Sequence, residues 1–162
     1  MVETDYIIRE LALKQTAVFD VLELYKLLKN SLKERGYTLY EREYENIKKE
    51  LLTTKIKLEG NKKIDEYATF GIRVKIKIDN YEDFEIKNKK LTKGGIEFSF
   101  ETVIYTDYEE RLENKPIRKF LRAVYDKFIA RDKYAKYEQE VKEDTYAIYN
   151  ELKAYLNLYK LR

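Results

Sequence analysis

The spacing of apolar residues changes twice along the chain, and each change indicates a switch of secondary structure. Over residues 20–35 apolar residues recur every three or four positions, which predicts one buried helical face. Asp20 has the side chain of an N-cap, and Gly36 is typical of the position just beyond a helix C-terminus. Residues 6–15 fit a strand or the start of a helix, and the helix-start signal that follows them favours the strand. The helical stripe consists of Val21, Leu24, Tyr25, Leu28 and Leu32.

From Tyr37 to Tyr108 the period becomes two, which is typical of strands with one buried face and one solvated face. Turn-forming residues occur at Glu59-Gly60-Asn61 and Asp79-Asn80, and Gly94-Gly95 indicates a turn or a bulge. This pattern predicts an antiparallel meander of five to six strands. The clearest buried face consists of Ala68, Phe70, Ile72, Val74, Ile76 and Ile78.

Residues 116–160 return to helical spacing. The pattern does not decide between one helix and two, and we expect two, with a break near Arg131–Tyr134. The predicted fold class is therefore α+β, with residues 1–162 as a single domain. An N-terminal strand and helix precede the meander, and the two C-terminal helices pack on the apolar face of the sheet. This order is loosely similar to helix-grip folds, in which a curved sheet wraps a long helix, an analogy that supports no function by itself.

Composition removes much of the common catalytic chemistry. The chain has no histidine, cysteine or tryptophan, and its two serines are Ser31 and Ser99. Without imidazole or thiolate, the usual nucleophile–base pairs and the familiar zinc, copper, haem and iron–sulfur sites lack their ligands. The five glycines form neither a dinucleotide-binding motif nor a phosphate-cradling loop. We therefore expect a protein that is not an enzyme and that has no cofactor and no metal site.

Charge and hydropathy bear on partners and location. The net charge of +3 is well short of that of a dedicated nucleic-acid binder. The abundance of Lys and Glu resembles proteins from hot habitats, and an AT-rich genome gives the same bias. No apolar run reaches the roughly 18 residues of a membrane span, and the acidic start has no signal-peptide pattern. We expect a cytoplasmic protein that does not bind membranes.

One candidate site is a basic helix face. Its residues fall within about a quarter-turn of one another if the helix continues, at 100° per residue. Such a face could lie on an RNA backbone, although an ordinary solvated surface explains it as well. It consists of Arg118, Lys119, Arg122, Lys133 and Lys136.

Charged residues at inward positions suggest a structural ion pair. Arg131 and Asp144 both fall on apolar stripes, where an unpaired charge is costly. We expect the two to form a bridge that sets the register of two helices. The alternative is that Arg131 belongs to a binding site.

The strands carry two further candidate sites. Lysines and an arginine follow the solvated face of two predicted strands, whereas Glu97 and Glu101 lie on the last. Cross-strand charge pairing explains this face, and a phosphate-binding surface is the alternative, against which the interspersed acids argue. A cavity between sheet and helices would suit a hydrophobic small molecule. Its expected lining is Phe70, Phe98, Phe100 and Phe128.

Several stretches resemble an uncharacterised family of small archaeal proteins. They include Phe19-Asp20-Val21-Leu22-Glu23-Leu24-Tyr25-Lys26 and Glu151-Leu152-Lys153-Ala154-Tyr155-Leu156-Asn157-Leu158. The resemblance covers nearly the whole chain, and it implies no activity, because no function is assigned to that family.

Three function classes remain. The first is a non-enzymatic binding or assembly protein with a protein partner or with itself as partner, because tyrosine is abundant and is enriched at interfaces. The second is an RNA- or ribosome-associated factor that uses the basic helix face. The third is a carrier of a small hydrophobic molecule. The sequence does not identify the partner.

Overall fold

The computed structural model describes residues 3–48, 52–65, 68–106 and 130–158. These residues form an α+β fold with a five-stranded antiparallel sheet and two helices, as predicted in outline. The elements in chain order are β1 (Glu3–Phe19), α1 (Val21–Glu34), β2 (Thr38–Lys48), β3 (Leu52–Lys63), β4 (Ala68–Ile86), β5 (Lys89–Thr106) and α2 (Ala130–Leu158).

The strand order across the sheet is β1-β5-β4-β3-β2, and every neighbouring pair is antiparallel. Strands β2 to β5 form the predicted meander. The first strand pairs with β5, so β1 and β2 lie at opposite edges although only α1 separates them in the chain. The segment that contains α1 therefore carries the chain from one edge to the other.

The strands are longer than predicted because the expected turns at Glu59-Gly60-Asn61 and Asp79-Asn80 are absent, and these residues lie inside β3 and β4. Gly60 lies inside β3, where the lack of a side chain allows close packing. Gly94-Gly95 lies inside β5 at a β-bulge with β4, so the bulge alternative for this pair is confirmed. A Cβ at Gly94 would approach Cβ of Tyr81 to 2.7 Å. The tight turn instead lies at Lys87 and Asn88, both of which have positive φ.

One face of the sheet carries the hydrophobic core, and α1 and α2 pack there. Phe70, Phe98 and Phe100 are fully enclosed, and Tyr137 and Tyr149 of α2 contact two of these rings edge-on. The buried side of α1 includes Leu24, Leu28 and Leu32 as predicted. The core therefore follows the period-two and helical patterns of the sequence.

Two buried polar groups at this interface satisfy each other. Thr102 of β5 and Thr145 of α2 are both fully buried, and their hydroxyl oxygens lie 2.8 Å apart. Thr145 also donates to the carbonyl of Val141 one turn earlier. The pair therefore places two hydroxyls in the core without leaving Thr145 unsatisfied.

Tyrosine hydroxyls tie α2 to the rest of the protein. Tyr137 donates to Asp65 at 2.6 Å, and Tyr155 donates to Glu23 at 3.3 Å. These rings cover the core, while their hydroxyls reach carboxylates at its edge. Tyrosine abundance is thus explained in part by packing, as the spacing of these residues predicts.

The expected break in the C-terminal helical region is wrong. The α2 helix begins at Ala130 and continues without interruption to Leu158, through the proposed break at Arg131–Tyr134. The predicted helix over residues 116–132 lies mostly outside the described residues.

The proposed Arg131–Asp144 bridge is wrong for the same reason. Both residues lie on one helix, thirteen positions apart, which is about 20 Å along the axis. No arginine side chain spans that distance to a carboxylate on its own helix. Asp144 instead accepts a hydrogen bond from the hydroxyl of Tyr37 at 2.8 Å.

A different ion pair joins the two helices. Arg35, just after α1, places Nη2 2.7 Å from Oε1 of Glu151 in α2. Ser31 donates to the other carboxylate oxygen at 2.6 Å, and Arg35 also donates to Ser31. Burial alone would raise the pKa of Glu151, but these hydrogen bonds outweigh it and lower that pKa. The pair thus performs the role that we expected of Arg131 and Asp144.

We predict that Glu151→Gln lowers the free energy of unfolding at neutral pH by about 0.5–1 kcal/mol, because the pair is partly exposed. Since the pKa of Glu151 is lower in the folded state, its contribution is present above the unfolded value of about 4.3 and is lost as pH falls. Denaturant unfolding of both proteins at pH 7 and pH 3 measures this. An equal difference at both pH values would contradict a charge-dependent clamp.

Asp144 is predicted to behave in the opposite way. Burial raises its pKa in spite of the hydrogen bond from Tyr37, so the ionised form opposes folding above the unfolded pKa of about 3.9. We expect Asp144→Asn, which keeps an acceptor for Tyr37, to stabilise the protein by about 0.5 kcal/mol at pH 7 and not at pH 3. A loss of stability at pH 7 would indicate that Asp144 has a cationic partner after all.

Candidate functional site

The predicted basic helix face is only partly within the described residues. Lys133 and Lys136 are exposed on α2, whereas Arg118, Lys119 and Arg122 lie outside those residues. Because α2 packs on the inner face of the sheet, Lys133 and Lys136 belong to the helical layer.

The predicted phenylalanine-lined cavity is not where the sequence placed it. Phe70, Phe98 and Phe100 have no exposed surface and pack against one another and against α2. They line none of the cavities described below, and Phe128 lies outside the described residues. These rings are core residues.

A groove follows the outer, solvated face of the sheet across β1, β3, β4 and β5. It consists of two adjoining depressions of about 480 and 630 Å³ that share Glu10, Lys57, Lys75 and Ser99. We call this the outer groove. Six cationic side chains and three carboxylates line it. The cationic ones are Arg9, Lys55, Lys57, Arg73, Lys75 and Lys77.

Four lysines in the outer groove face one another in pairs. In the β3–β4 ladder Lys55 lies directly opposite Lys77, and Lys57 lies directly opposite Lys75. Like charges at directly opposed positions destabilise a sheet. Cross-strand charge pairing, the interpretation that we favoured from the sequence, therefore does not account for the β3–β4 ladder itself, although Lys55, Lys57 and Lys77 each have a glutamate opposite them on the other neighbouring strand. We call these four residues the lysine quartet.

Charge pairing does explain most of the positions opposite the quartet on the two outer neighbouring strands, β2 and β5. Glu97 of β5 is opposite Lys77, and positions 43 and 45 of β2, both glutamate, are opposite Lys57 and Lys55. Lys77 also lies 3.5 Å from Asp79 on its own strand. On the side of β5, Lys75 is opposite Ser99, which is neutral. The positive charge is thus concentrated at the centre of the sheet, with carboxylates around it.

One end of the outer groove holds a hydrogen-bonded polar cluster. Arg73 donates to Glu101 at 2.5 Å and to the hydroxyl of Tyr105 at 2.7 Å, and its Nε lies 3.8 Å from Glu59. Tyr105 in turn donates to Glu59 at 3.1 Å. Burial alone would lower the pKa of Arg73, but the bonds to Glu101 and Tyr105 outweigh it and raise that pKa. Arg73 is therefore a fixed cation held by its neighbours.

The hydroxyl of Tyr105 stays protonated near neutral pH in this cluster. Burial raises the pKa of its hydroxyl, and the nearby carboxylate of Glu59 raises it further. Its ring also fills the space over Gly71, where a Cβ would approach it to 2.8 Å. Packing and hydrogen bonding account for these residues.

An exposed aromatic ring lies beside the outer groove. Tyr6 of β1 is 41% exposed, and the guanidinium of Arg9 lies 5.0 Å from the centre of its ring. The pairing of β1 with β5 is irregular between Tyr6 and Leu11, and Arg9 lies within this irregular stretch. The groove thus combines cations with an accessible ring.

Within the described ranges no group of three or more Asp and Glu side chains is arranged to hold a metal ion. None of the helices among those residues is long and apolar enough to cross a membrane.

Comparison with known proteins does not assign this chain to a family. No protein-family model matches the chain, and a search of curated proteins gives no significant match. The resemblance to small archaeal proteins therefore stays a prediction.

The sequence pattern predicted that these lysines lie on the solvated face, but not that they face one another across neighbouring strands. The alternation of Lys55 and Lys57 with apolar residues, and of Lys75 and Lys77 likewise, shows that all four share one face. Their facing pairs depend on the register of β3 against β4. A tight turn at Glu59-Gly60-Asn61, as we expected, would have divided β3 within this ladder.

We predict that Lys75→Glu stabilises the protein by about 0.5 kcal/mol, because it replaces a like-charged pair with an opposite-charged pair. Lys93→Glu is the matched control, since it makes the same charge change opposite Glu82 and should destabilise the protein. Urea unfolding at low salt measures both effects, which should shrink in 1 M salt. A destabilising effect of Lys75→Glu would indicate that the quartet is electrostatically balanced.

Proposed function

We propose that this protein is a non-enzymatic RNA-binding protein that holds the phosphate backbone of a single strand in the outer groove. The observation that carries the proposal is the direct opposition of Lys55 to Lys77 and of Lys57 to Lys75. A phosphate between facing ammonium groups turns their mutual repulsion into attraction to a shared anion. The bound state is thus favoured by the same charges that disfavour the free sheet.

The dimensions of the groove support a chain-like ligand. Lys77 and Arg73 lie four positions apart on β4, which corresponds to about 13 Å along a strand. Cations follow this length on β4, and Lys55 and Lys57 accompany part of it on the neighbouring β3. A single inorganic phosphate would occupy only part of the groove, whereas a polyanion contacts successive lysines at once.

The exposed ring of Tyr6 favours RNA over other polyanions. Proteins that bind single strands combine a basic groove with aromatic rings on which bases stack. Tyr6 lies beside Arg9 of the groove and is accessible. Arg9 over the same ring adds a cation that can contact the backbone next to a stacked base.

The sheet face is preferred here to the helix face on which the RNA interpretation first rested. Lys133 and Lys136 lie on the helical layer, and neighbouring acids such as Asp132 and Glu140 dilute their charge. Self-association and a protein partner stay predictions, for which the exposed ring of Tyr40 on the edge strand β2 is the structural support.

The test compares two variants with the same change of net charge. Lys57→Gln/Lys75→Gln alters the quartet, and Lys133→Gln/Lys136→Gln alters the helix. Binding of a fluorescein-labelled uridine 12-mer is measured by anisotropy over a series of salt concentrations. We expect the quartet variant to bind about tenfold more weakly at low salt, with a salt slope smaller by about 1.4, because each phosphate contact on a single strand contributes about 0.7. The helix variant should bind like the wild type.

Two outcomes would overturn the proposal. One is no salt-dependent binding of the 12-mer by the wild-type protein. The other is a loss of affinity in the helix variant and not in the quartet variant, which would return the site to α2. Replacing Tyr6 with Ala should weaken binding without changing the salt slope, because stacking releases no counterions.

A further inference from the structure

A third cavity, of about 370 Å³, lies on the opposite, inner face of the sheet at the N-terminal end of α1. We call it the end cavity. Its apolar walls are Val21 of α1, Ile56 of β3 and Ile78 of β4. Ile56 and Ile78 are among the buried residues of the core, so the cavity extends the core towards solvent.

A β-bulge in β4 builds the polar side of the end cavity. Asp79 pairs with Gly95 and Glu82 pairs with Lys93, so two residues of β4 face only Gly94 of β5. Because an extra residue reverses the alternation of faces, Tyr81 and Asp83 line the inner face beyond the bulge. Without the bulge, Tyr81 would point to the outer face.

The backbone conformation and the close packing at the bulge restrict which residues can occupy it. Asn80 has a φ of +47°, a left-handed conformation that Asn tolerates better than most residues. Gly94 lies against Tyr81, and a Cβ there would approach the Tyr81 Cα to 2.8 Å. Bulges of this kind occur next to binding sites, where they redirect a side chain.

Hydroxyl groups line the end cavity at positions where the sheet is otherwise apolar. Thr54 is buried, and its hydroxyl lies 3.1 Å from that of Tyr81. Thr92 is buried as well and donates to Asp83 at 2.6 Å. The cavity therefore combines apolar walls with a few ordered polar groups, which is the usual composition of a small-molecule site.

The rim of the end cavity is acidic. Asp20 and Asp83 line it together with the single cation Lys90. Asp20 accepts hydrogen bonds from the N–H groups of Leu22 and Glu23, so the first turn of α1 is already capped. An anionic ligand would meet two carboxylates at the rim, whereas an ammonium group would be attracted to them.

We propose that the end cavity binds a small amphiphile with an apolar chain and a primary amine head. The chain lies against Ile56 and Ile78, and the ammonium group donates to Asp83 at the rim. The site is independent of the proposed RNA function, because it lies on the other face of the sheet and uses none of the lysine quartet.

The absence of tryptophan allows a clean reporter. Leu22 lines the mouth and is 71% exposed, so Leu22→Trp places one indole there without disturbing the core. We expect n-octylamine, added below its aggregation concentration, to shift the emission of this variant to the blue with saturation. Tyr146→Trp, at an exposed position on α2, is the control and should show no saturable shift.

Two further substitutions in the Leu22→Trp background test the site. Val21→Phe fills the cavity and should abolish the shift. Asp83 is exposed, so the Asp83→Asn variant should fold normally. This variant should bind octylamine about tenfold more weakly, because the substitution replaces a charge-assisted hydrogen bond with a neutral one. Its affinity for n-octanol should be unchanged.

Comparison of ligands decides the chemical class. Octylamine should bind more tightly than octanol, and octanoate more weakly than both. Equal binding of octanoate, or an equal shift in the Tyr146→Trp control, would overturn the proposal. So would a lack of saturable response to octylamine in the Leu22→Trp protein. Unchanged RNA binding in Asp83→Asn would show that the two sites are separate.

Discussion

The register of β4 is the constraint on which both faces of the sheet depend. This strand pairs with β3 on one side and β5 on the other, and its inward residues Phe70, Ile72, Val74 and Ile76 form the centre of the core. A slip of one residue would bring Arg73, Lys75 and Lys77 to the core face and expose this apolar set. The cost of burying those charges keeps the strand in register. The same register fixes which lysines face each other on the outside.

The two helices stabilise that register from one side only. The α1 helix leads from one edge of the sheet towards the other, and α2 is joined to it by the Arg35–Glu151 pair and to the strand region by tyrosine hydroxyls. Because the helices cover the inner face, the outer face bears charges that the packing of the core does not require. The ladder places the polar side chains on that face, and side-chain contacts hold some of them further, as Glu101 and Tyr105 hold Arg73.

Residue periodicity predicted well which face of each helix and strand is buried, but it predicted the contacts between side chains of different elements poorly. The Asp20 cap, the stripe of α1 and the inward residues of β4 follow from short-range spacing, and the structure confirms them. The partner of an inward charge does not follow from spacing. Asp144 meets Tyr37, which lies more than a hundred residues earlier, and Arg35 meets Glu151 over a similar separation. Gly60 was misleading for a related reason: it allows close packing between neighbours inside β3, which a single strand's sequence does not reveal.

Arg73 and Lys75, two cations on the same face of β4, have different neighbours, and the neighbours indicate different roles. Arg73 is bound by Glu101 and Tyr105 and lies close to Glu59, so its charge is accounted for within the fold. Two positions further along β4, Lys75 has another lysine opposite it on one side and a serine on the other. Both are cationic, outward and in the same groove, yet only the arginine has surroundings built to hold it. A charge whose ladder neighbours oppose it lowers the stability of the free protein, and an anionic ligand removes that cost. This difference separates a structural cation from one suited to binding, and it is why the proposed RNA contact lies at the centre of the sheet.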